Sequence, residues 1–537
     1  MRTMVRKING RTITPLDHKT QHQTGGEDEI NVAGLKGRLA DMQDADAIKG
    51  KAVNLTGIGP NKILQYDGEK FIVGNKADTP VAGTIAENDF WVAKGDLAAG
   101  VASGSGQRVA VGIDPWMHLH PNPAMGQGLE WMPPVPGLLN KVFRCQDGAS
   151  TPNNLEIHMV YIPFFKSEGF QQANLNGIIC GGFWVDKYQA CQPLASNVSR
   201  GGLTPNSPGA GVGAACKPHV VPWTDVSWGT AKAAIENRGG ASNKSAGGTP
   251  TACTALTTPT NAKAEFLVAD IAHLVGRQVE IVQNGVTYHR RIVKQGLADQ
   301  PKYVKVHPDL PQDITATDTY VIIGWHMITP HEEFSLAAWA RLNRYEFGLG
   351  YPKGNNDYGK DVGDTRAPEN EGLQDPVLGG DATHDFRRCL TGSGPLSWSL
   401  NEQENGVWDL NGNVNEWNLQ QVIGNGTTIV IAPGYPGAGT VVTPSGASGQ
   451  KIVTMYDADV PTNGFCLNSE INIPATLSSG GVAEYDYDGC WFNPANGTYA
   501  ALRGGAWRSG SGAGLVALVL DCAPTSTNYS IGFRGAL

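Results

Sequence analysis

Residues 502–537, "LRGGAWRSGSGAGLVALVLDCAPTSTNYSIGFRGAL", join two kinds of position. One kind is structural: the pair Gly504-Gly505, Trp507, the apolar run from Leu515, and the closing Gly532-Phe533-Arg534. The other is a miscellany, Ala506, Arg508, Ser509, Val519, Asp521, Cys522, Asn528 and Tyr529, with no evident pattern. On "LVALVLD" the two-residue period of a strand sends Val516, Leu518 and Leu520 to one face and Ala517, Val519 and Asp521 to the other. The first set is apolar and suits a core. The second is expected to face solvent, where substitutions usually cost within about 0.5 kcal/mol. Trp507, Ile531 and Phe533 are expected to anchor this surface from beneath, with Gly504 and Gly505 permitting a sharp approach and Pro524 marking the turn beyond. Aromatic, Ser, Asn and Arg groups on such a frame are what recognition surfaces use, for contact area and adaptable hydrogen bonds.

Upstream, several segments announce an α+β domain. "GGFWVDKYQAC" (181–191) reads as a strand. "VPWTDVSWGTAKAAIENRGG" (221–240) reads as a short helix with Trp228, Ala231 and Ile235 on one face and Gly239 stopping it. "TPHEEFSLAAWARLNRYEFG" (329–348) is a stronger helix: Thr329 caps it, Pro330 opens it, Glu332 completes a capping box and Gly348 ends it. Between them, residues about 262–324 look like an inserted β subdomain. It has a hairpin on Asn284-Gly285 in "QVEIVQNGVTYHRRIV" and a further strand in "TDTYVIIGW". A second β- and loop-rich stretch, 420–500, follows "NGVWDLNGNVNEWNL" (405–419).

Nearer the start the signals thin. "ILQYDGEKFIV" (63–73) reads as a hairpin around Asp67-Gly68, a dipeptide suited to a tight type I′ turn. Leu35, Leu39 and Met42 form one narrow helical stripe, too thin for a lone helix but able to bury itself against copies around an axis. His18 and His22 are four apart but run into Gly25-Gly26, so they read as surface or axis residues rather than metal ligands. The expected organisation is an attachment and trimerisation segment over 1–80, a β and irregular linker module over 81–150, and the main domain over 151–537. No internal repeats are evident.

Composition narrows the function classes. A chain of 537 residues is too long for one core and implies two to four domains. Only 17% of residues are charged, and the net charge of -9 argues against a nucleic-acid surface, which needs a basic face. No apolar run approaches the roughly 20 residues of a membrane span. The basic start "MRTMVRKINGRTITPLD" lacks the apolar stretch of a secretory signal. Nine scattered cysteines with no CxxC pair make a zinc ribbon or thioredoxin-type site unexpected and read as reduced, mostly buried thiols.

In order, "GGFWVDKYQAC", "VPWTDVSWGTAKAA", "ITPHEEFSLAAWA", "NGVWDLNGNVNEW", "LRGGAW" and the final "GFR" resemble the formylglycine-generating-enzyme (sulfatase-modifying) fold, a variant of the C-type lectin fold. The resemblance covers about 155–537. Enzymes of that family carry a copper-binding cysteine pair just past the "RGGSW" segment. The matching positions here are Ser509 and Gly514, which supply no sulfur, and Cys522 stands alone. The related iron-dependent sulfoxide synthases need a His triad, and His331 has no second His at ligand spacing. The resemblance therefore implies a protein that is not an enzyme and requires no cofactor.

The tail also looks like the variable region of the ligand-binding proteins made by diversity-generating retroelements, the phage major-tropism-determinant family. There, template adenines are randomised, mainly at Asn codons. Every member of the miscellany is reachable from an AAC codon by changing its two adenines, and Trp507 is not. An ordinary, undiversified lectin-fold C-terminus remains the alternative. The resemblance assigns ligand binding to Ala506, Arg508, Ser509, Gly512, Val519, Asp521, Cys522, Ser526, Asn528, Tyr529 and Ser530. It implies a phage tail-fibre tip protein, virion-borne and made in the host cytoplasm. Such a protein would be a homotrimer joined to other tail or baseplate proteins, binding a host-surface receptor, protein or glycan, without nucleic acid or membrane insertion. A cell-associated binding protein of a bacterial retroelement is the runner-up, and a formylglycine-type oxidase stands behind it.

Two further expectations concern buried chemistry. Arg503, Arg534 and Glu416 are expected to form an ionic brace, in which losing one member would cost several kcal/mol. Asn411, Asn413 and Glu416 offer oxygens in a tight loop, which suits either a structural calcium or an Asx-rich turn held by its own hydrogen bonds.

Overall fold

The computed structural model describes residues 138–537 apart from 164, 167–177, 244–250, 253, 256–260, 269–273, 296–302, 348, 381 and 457–466, together with short strands upstream. The chain divides into two compact units, Met1–Ala98 with Ser103–Arg108, and Ala99–Ala102 with Val109–Leu537. In the first, strands Lys62–Tyr66 and Phe71–Asn75 pair antiparallel, as the sequence suggests. Their register sets Tyr66 opposite Phe71, so four residues lie between them. A two-residue turn on Asp67-Gly68 would have paired Tyr66 with Glu69. The Leu35–Leu39–Met42 stripe, His18, His22 and Gly348 lie outside the described residues.

The second unit is α+β and β-rich, with three main sheets among the described residues. A five-stranded antiparallel sheet runs His326–Met327, Gly535–Ala536, Phe183–Asp186, Asn154–Ile162 and Leu139–Gln146. The chain's last strand thus lies inside the sheet that begins at residue 139. A larger sheet runs in the order Ile429–Ile431, Asn415–Gly424, Gly497–Gly504, Gly514–Cys522, Gly489–Phe492, Gln450–Met455 and Pro474–Ser478, with Ile531–Phe533 pairing beside Asn415–Trp417. The third sheet is the insertion, seven strands between Thr251 and Ile323. It starts about ten residues before 262 because Thr251–Ala252 pairs with Thr319–Tyr320. Asn284 and Gly285 both have positive φ, 50° and 77°, the geometry of a type I′ turn.

Both helices form where their caps place them. Ser227 accepts from the Thr230 amide at the start of Trp228–Glu236, which buries Ala231, Ala234 and Ile235. For Pro330–Phe347, the Thr329 amide donates to Glu332 Oε2 at 2.8 Å and the Glu332 amide donates to Thr329 Oγ1 at 3.3 Å, closing the capping box. The helix fills the space between sheets, packing Phe334, Leu336 and Trp339 with Phe183, Val185 and Leu515. A tryptophan-rich core that includes Trp184, Trp223, Trp398 and Trp417 takes up Ile531 and Phe533 from the tail. The insertion has its own core, with Phe266, Ile281, Ile292 and Tyr320. It is tied down by Arg291, which reaches Glu470 at 2.6 Å, and by His289 stacked on Tyr435 at 4.9 Å.

The ionic brace differs from expectation. Arg534 grips both oxygens of Glu416 at 2.8 Å and donates to the Asp186 carbonyl at 2.7 Å. Asp186 in turn holds Arg238 by two bonds of 2.8 Å. Arg503 stands opposite Glu416 in the strand register but is not a member. Arg534 already occupies the carboxylate, and Arg503 donates instead to the Asn472 carbonyl at 2.5 Å. Burial pushes Glu333 up to about 8, with Arg503 and Arg534 acting in the opposite direction.

Candidate functional site

The tail begins on the left-handed pair Gly504 (φ 81°) and Gly505 (φ 80°). A Cβ at Gly505 would stand 2.6 Å from the Ala513 Cβ, so only glycine lets strand and turn approach here. Ala506 and Trp507, each 2% exposed, then turn inward in a small cluster with Val414. Tyr529 stacks on Trp507 with ring centres 5.6 Å apart and planes 26° from parallel. Tyr358 joins the same cluster. Its amide donates to the Trp507 carbonyl at 2.7 Å, and His384 stacks on its ring at 3.5 Å. A loop from about residue 355 to 388, more than a hundred residues earlier in sequence, therefore borders the tail.

Placed on this frame, the eleven tail residues separate. Arg508 is exposed and makes no hydrogen bond or ion pair among the described residues. Ser509 is half-buried, and its hydroxyl accepts from the Ala506 amide at 2.9 Å. Asp521 is exposed, and Val519, Cys522, Ser526, Asn528 and Tyr529 are half-buried. Burial is the first cause that pushes the Cys522 thiol up to about 12, with Asp521 adding to it. Three are buried and cannot form an outer surface in this conformation: Ala506, Gly512 and Ser530. Ala506 packs on Val414 and Trp507, and Gly512 lies under Trp491, whose ring a Cβ would meet at 2.7 Å. The Ser530 hydroxyl turns inward to Asn528 Oδ1 at 2.9 Å.

The alternation expected on "LVALVLD" holds for part of the strand. Leu518 and Leu520 are buried in a core with Val422 and Ile452, and Asp521 is exposed. Ala517 is buried rather than solvent-facing, and Val519 packs against the tryptophan-rich core. The cause is position in the sheet. Gly514–Cys522 pairs on both sides, with Gly497–Gly504 and Gly489–Phe492, and carries apolar cores on both faces. Register shifts pair the nine residues of this strand with only five of its neighbour, Ala500–Gly504, so its ends lie closer than those of a regular strand of that length. The Ser509 turn leads into this strand at its start, and Asp521 and Cys522 are its last two residues. Tyr529 is carried back to Trp507 by the return segment after Pro524.

The positions that the resemblance matches to a copper-binding pair do not fit copper. Ser509 offers oxygen, and a Cβ at Gly514 would stand 2.0 Å from Asp488 Oδ1, so a cysteine there has no room. The "DLNGNVNEW" loop does not fit calcium. Asn413 Oδ1 accepts from the Cys389 amide at 2.8 Å and from Asn355 at 3.2 Å, and Asn411 Oδ1 accepts from Asn356 at 3.1 Å. Both Glu416 oxygens are held by Arg534. The loop's amides are bonded to residues 352–356 and 389, remote in sequence, rather than to the loop's own backbone, so the network matches neither expectation.

Sequence reasoning missed a cleft beside the tail. It has a volume of about 430 Å³ and is lined by Asn356, Asp361, Val362, Lys451, Asp486, Tyr487, Ser511 and Ala513, among others. With Asn411, the lining comes from five separate stretches of chain. The signal in the sequence was a lone "EYDYDG" between glycines, with no periodicity to mark it.

No family model matches this chain, and no curated protein matches it by sequence. Among solved structures it is similar to Treponema denticola variable protein 1, at 11% identity, covering 74% of this chain and 98% of that one with a TM-score of 0.28.

Proposed function

We propose that this chain is a non-catalytic ligand-binding protein whose C-terminal segment offers exchangeable side chains on a fixed frame. The observation that carries the reading is the contrast at adjacent positions. Trp507 is sealed inside, while among the described residues Arg508 projects with no partner and Tyr529 lies over the Trp507 ring with its hydroxyl unbonded. A guanidinium and a phenol presented in this way are typical anchors of a recognition surface. The absence of sulfur at 509 and 514, and the lack of room for it at 514, support binding rather than oxidase chemistry.

The finer reading follows the resemblance. The fold is of the C-type lectin type, and the tail is a variable region diversified by a retroelement. The protein is a phage tail-fibre tip, trimeric, recognising a host-surface receptor. Arg508, Ser509, Asp521, Cys522, Ser526, Asn528 and Tyr529 remain its contact set, with Val519 at the margin. Three binding faces on one particle would turn modest single-site affinity into strong avidity.

The test is at nucleotide level. The last hundred or so bases are sequenced from many progeny, and the genome is searched for a near-copy beside a reverse transcriptase. Differences confined to adenine positions of that copy support diversification. A uniform sequence in all progeny with no copy anywhere overturns it.

A further inference from the structure

We propose that the cleft beside the tail, between residues 356–363, Lys451, residues 479–487 and the turn at 510–513, is a binding site for a neutral sugar ring. This goes beyond the proposed function and does not need the tail to vary. Of that reading it uses only the statement that the chain binds ligands.

Size is the first argument. At about 430 Å³ the cleft falls within the roughly 300–1,000 Å³ of small-ligand sites. The second is unfilled hydrogen-bonding capacity. Asp486 is half-buried, yet its carboxylate accepts no hydrogen bond among the described residues. Lys451 has three donors, and its ammonium reaches the Ser511 carbonyl and the Ser511 hydroxyl, leaving one donor for the cleft. Asp361 is held by the amides of Gly354 and Gly363 and by the Asn356 side chain, so its oxygens are fixed in place as acceptors. An acceptor and a donor therefore face one space, and both lack partners that a ring of hydroxyls would supply.

The third argument is the aromatic wall. Tyr487 is 47% exposed beside Asp486, and its hydroxyl has no partner among the described residues. Such a ring offers an apolar face to the C–H side of a sugar. Asp486 and Tyr487 are also consecutive residues in the left-handed region, φ 49° and 59°. Non-glycine residues persist there only where the surroundings hold them, and such sites cluster at binding positions.

Charge then selects the class. A bare cation would meet Lys451, which lines the cleft together with Asp361 and Asp486. An anion would meet Asp361 and Asp486. A neutral polyhydroxyl compound satisfies both kinds of group and repels neither.

The experiment is saturation-transfer NMR on the full chain, with methyl glycosides of neutral hexoses and N-acetylhexosamines as probes. Sialic acid and lysine methyl ester serve as charged controls. At least one neutral glycoside should show transfer, weakened about tenfold or more by Asp486→Asn, by Tyr487→Ala and by Lys451→Met. Lys451→Met leaves the left-handed pair untouched, so a folding defect at 486 or 487 does not rescue or sink the result. Transfer to the charged probes alone, no transfer to any neutral glycoside, or transfer that survives Lys451→Met and Asp486→Asn overturns the assignment. Arg508→Ala and Tyr529→Ala lie outside the cleft lining and should leave the sugar signal intact. Failure of the cleft and failure of the tail surface are thus read separately.

Discussion

Replacing Trp507 and Arg508 by alanine, one at a time, sets neighbouring residues against each other. Trp507 is 2% exposed and is the floor on which Tyr529 stacks. Truncating a buried Trp costs about 3–5 kcal/mol, and losing an aromatic pair adds about 0.5–1.5 kcal/mol. For a unit of about 430 residues, unfolding entropy near 2.1 cal/mol/K per residue sums to about 0.9 kcal/mol/K. Trp507→Ala should therefore lower the melting temperature by about 4–7 °C. Arg508 is exposed with no partner among the described residues, so Arg508→Ala should cost within about 0.5 kcal/mol, less than about 1 °C. Differential scanning calorimetry measures the first quantity. Near-UV circular dichroism confirms that Arg508→Ala keeps native packing. A melting temperature that falls as far for Arg508→Ala as for Trp507→Ala refutes the division into frame and surface. So does a Trp507→Ala protein that melts within a degree of the parent.

Three other outcomes follow from buried groups. Glu416→Gln leaves the Arg534 charge buried without its counter-ion, and urea titration should show a loss of about 3–5 kcal/mol, whereas an unchanged midpoint would mean the pair contributes nothing. Ser509→Cys with Gly514→Cys should not create a copper site, because the second side chain collides with Asp488; equilibrium dialysis against cuprous ion should bind no more metal than the parent, alongside a lowered melting temperature. Burial first, then Asp361, pushes Asp486 up to about 6 from 3.8 against the pull of Arg344 and Lys451. The folded state holds the extra proton, so this group's contribution falls as pH rises from about 4 to 6. Asp486→Asn should accordingly gain stability over the parent at pH 7, by at most about 3 kcal/mol, with the gain vanishing near pH 4; an equal gain at both pH values would place the effect elsewhere.

What was legible in the sequence was local. The capping box at Thr329–Glu332 and the Asn284-Gly285 turn are set by side chains within a few residues of one another, and both form as written. The inward set Trp507, Leu518, Leu520, Ile531 and Phe533 is apolar whatever surrounds it, and it is buried. Positions that depend on which strands lie alongside were not legible. Ala517 is equally suited to a core or a surface, and it is buried because apolar cores cover both faces of its strand. Gly512 was counted with the exchangeable residues, but Trp491 from another strand covers it. Arg503 looked like a partner for Glu416, and only the position of Arg534 shows that the carboxylate is taken. The cleft at Asp486 and Tyr487 draws on five separated stretches and so has no periodic signature.

The same dependence explains how so loop-rich a chain can hold a surface steady. Arg534, two residues beyond the tail's Gly532, binds Glu416 and the Asp186 carbonyl, and Asp186 binds Arg238 and the Gly535 amide. Arg388 pairs with Asp375 and donates to the Tyr529 carbonyl at 2.8 Å. Each guanidinium joins segments that are remote in sequence through several directed bonds, which an apolar contact could not orient. Replacing such a pair by hydrophobic residues of similar volume is often neutral in stability. Its role here is therefore argued from geometry: the backbone on either side of Tyr529 is held by partners that no change at Arg508, Asp521 or Tyr529 itself would remove. The Tyr529 side chain can be exchanged while its carbonyl stays bonded to Arg388, and that separation of backbone from side chain is what a variable binding surface requires.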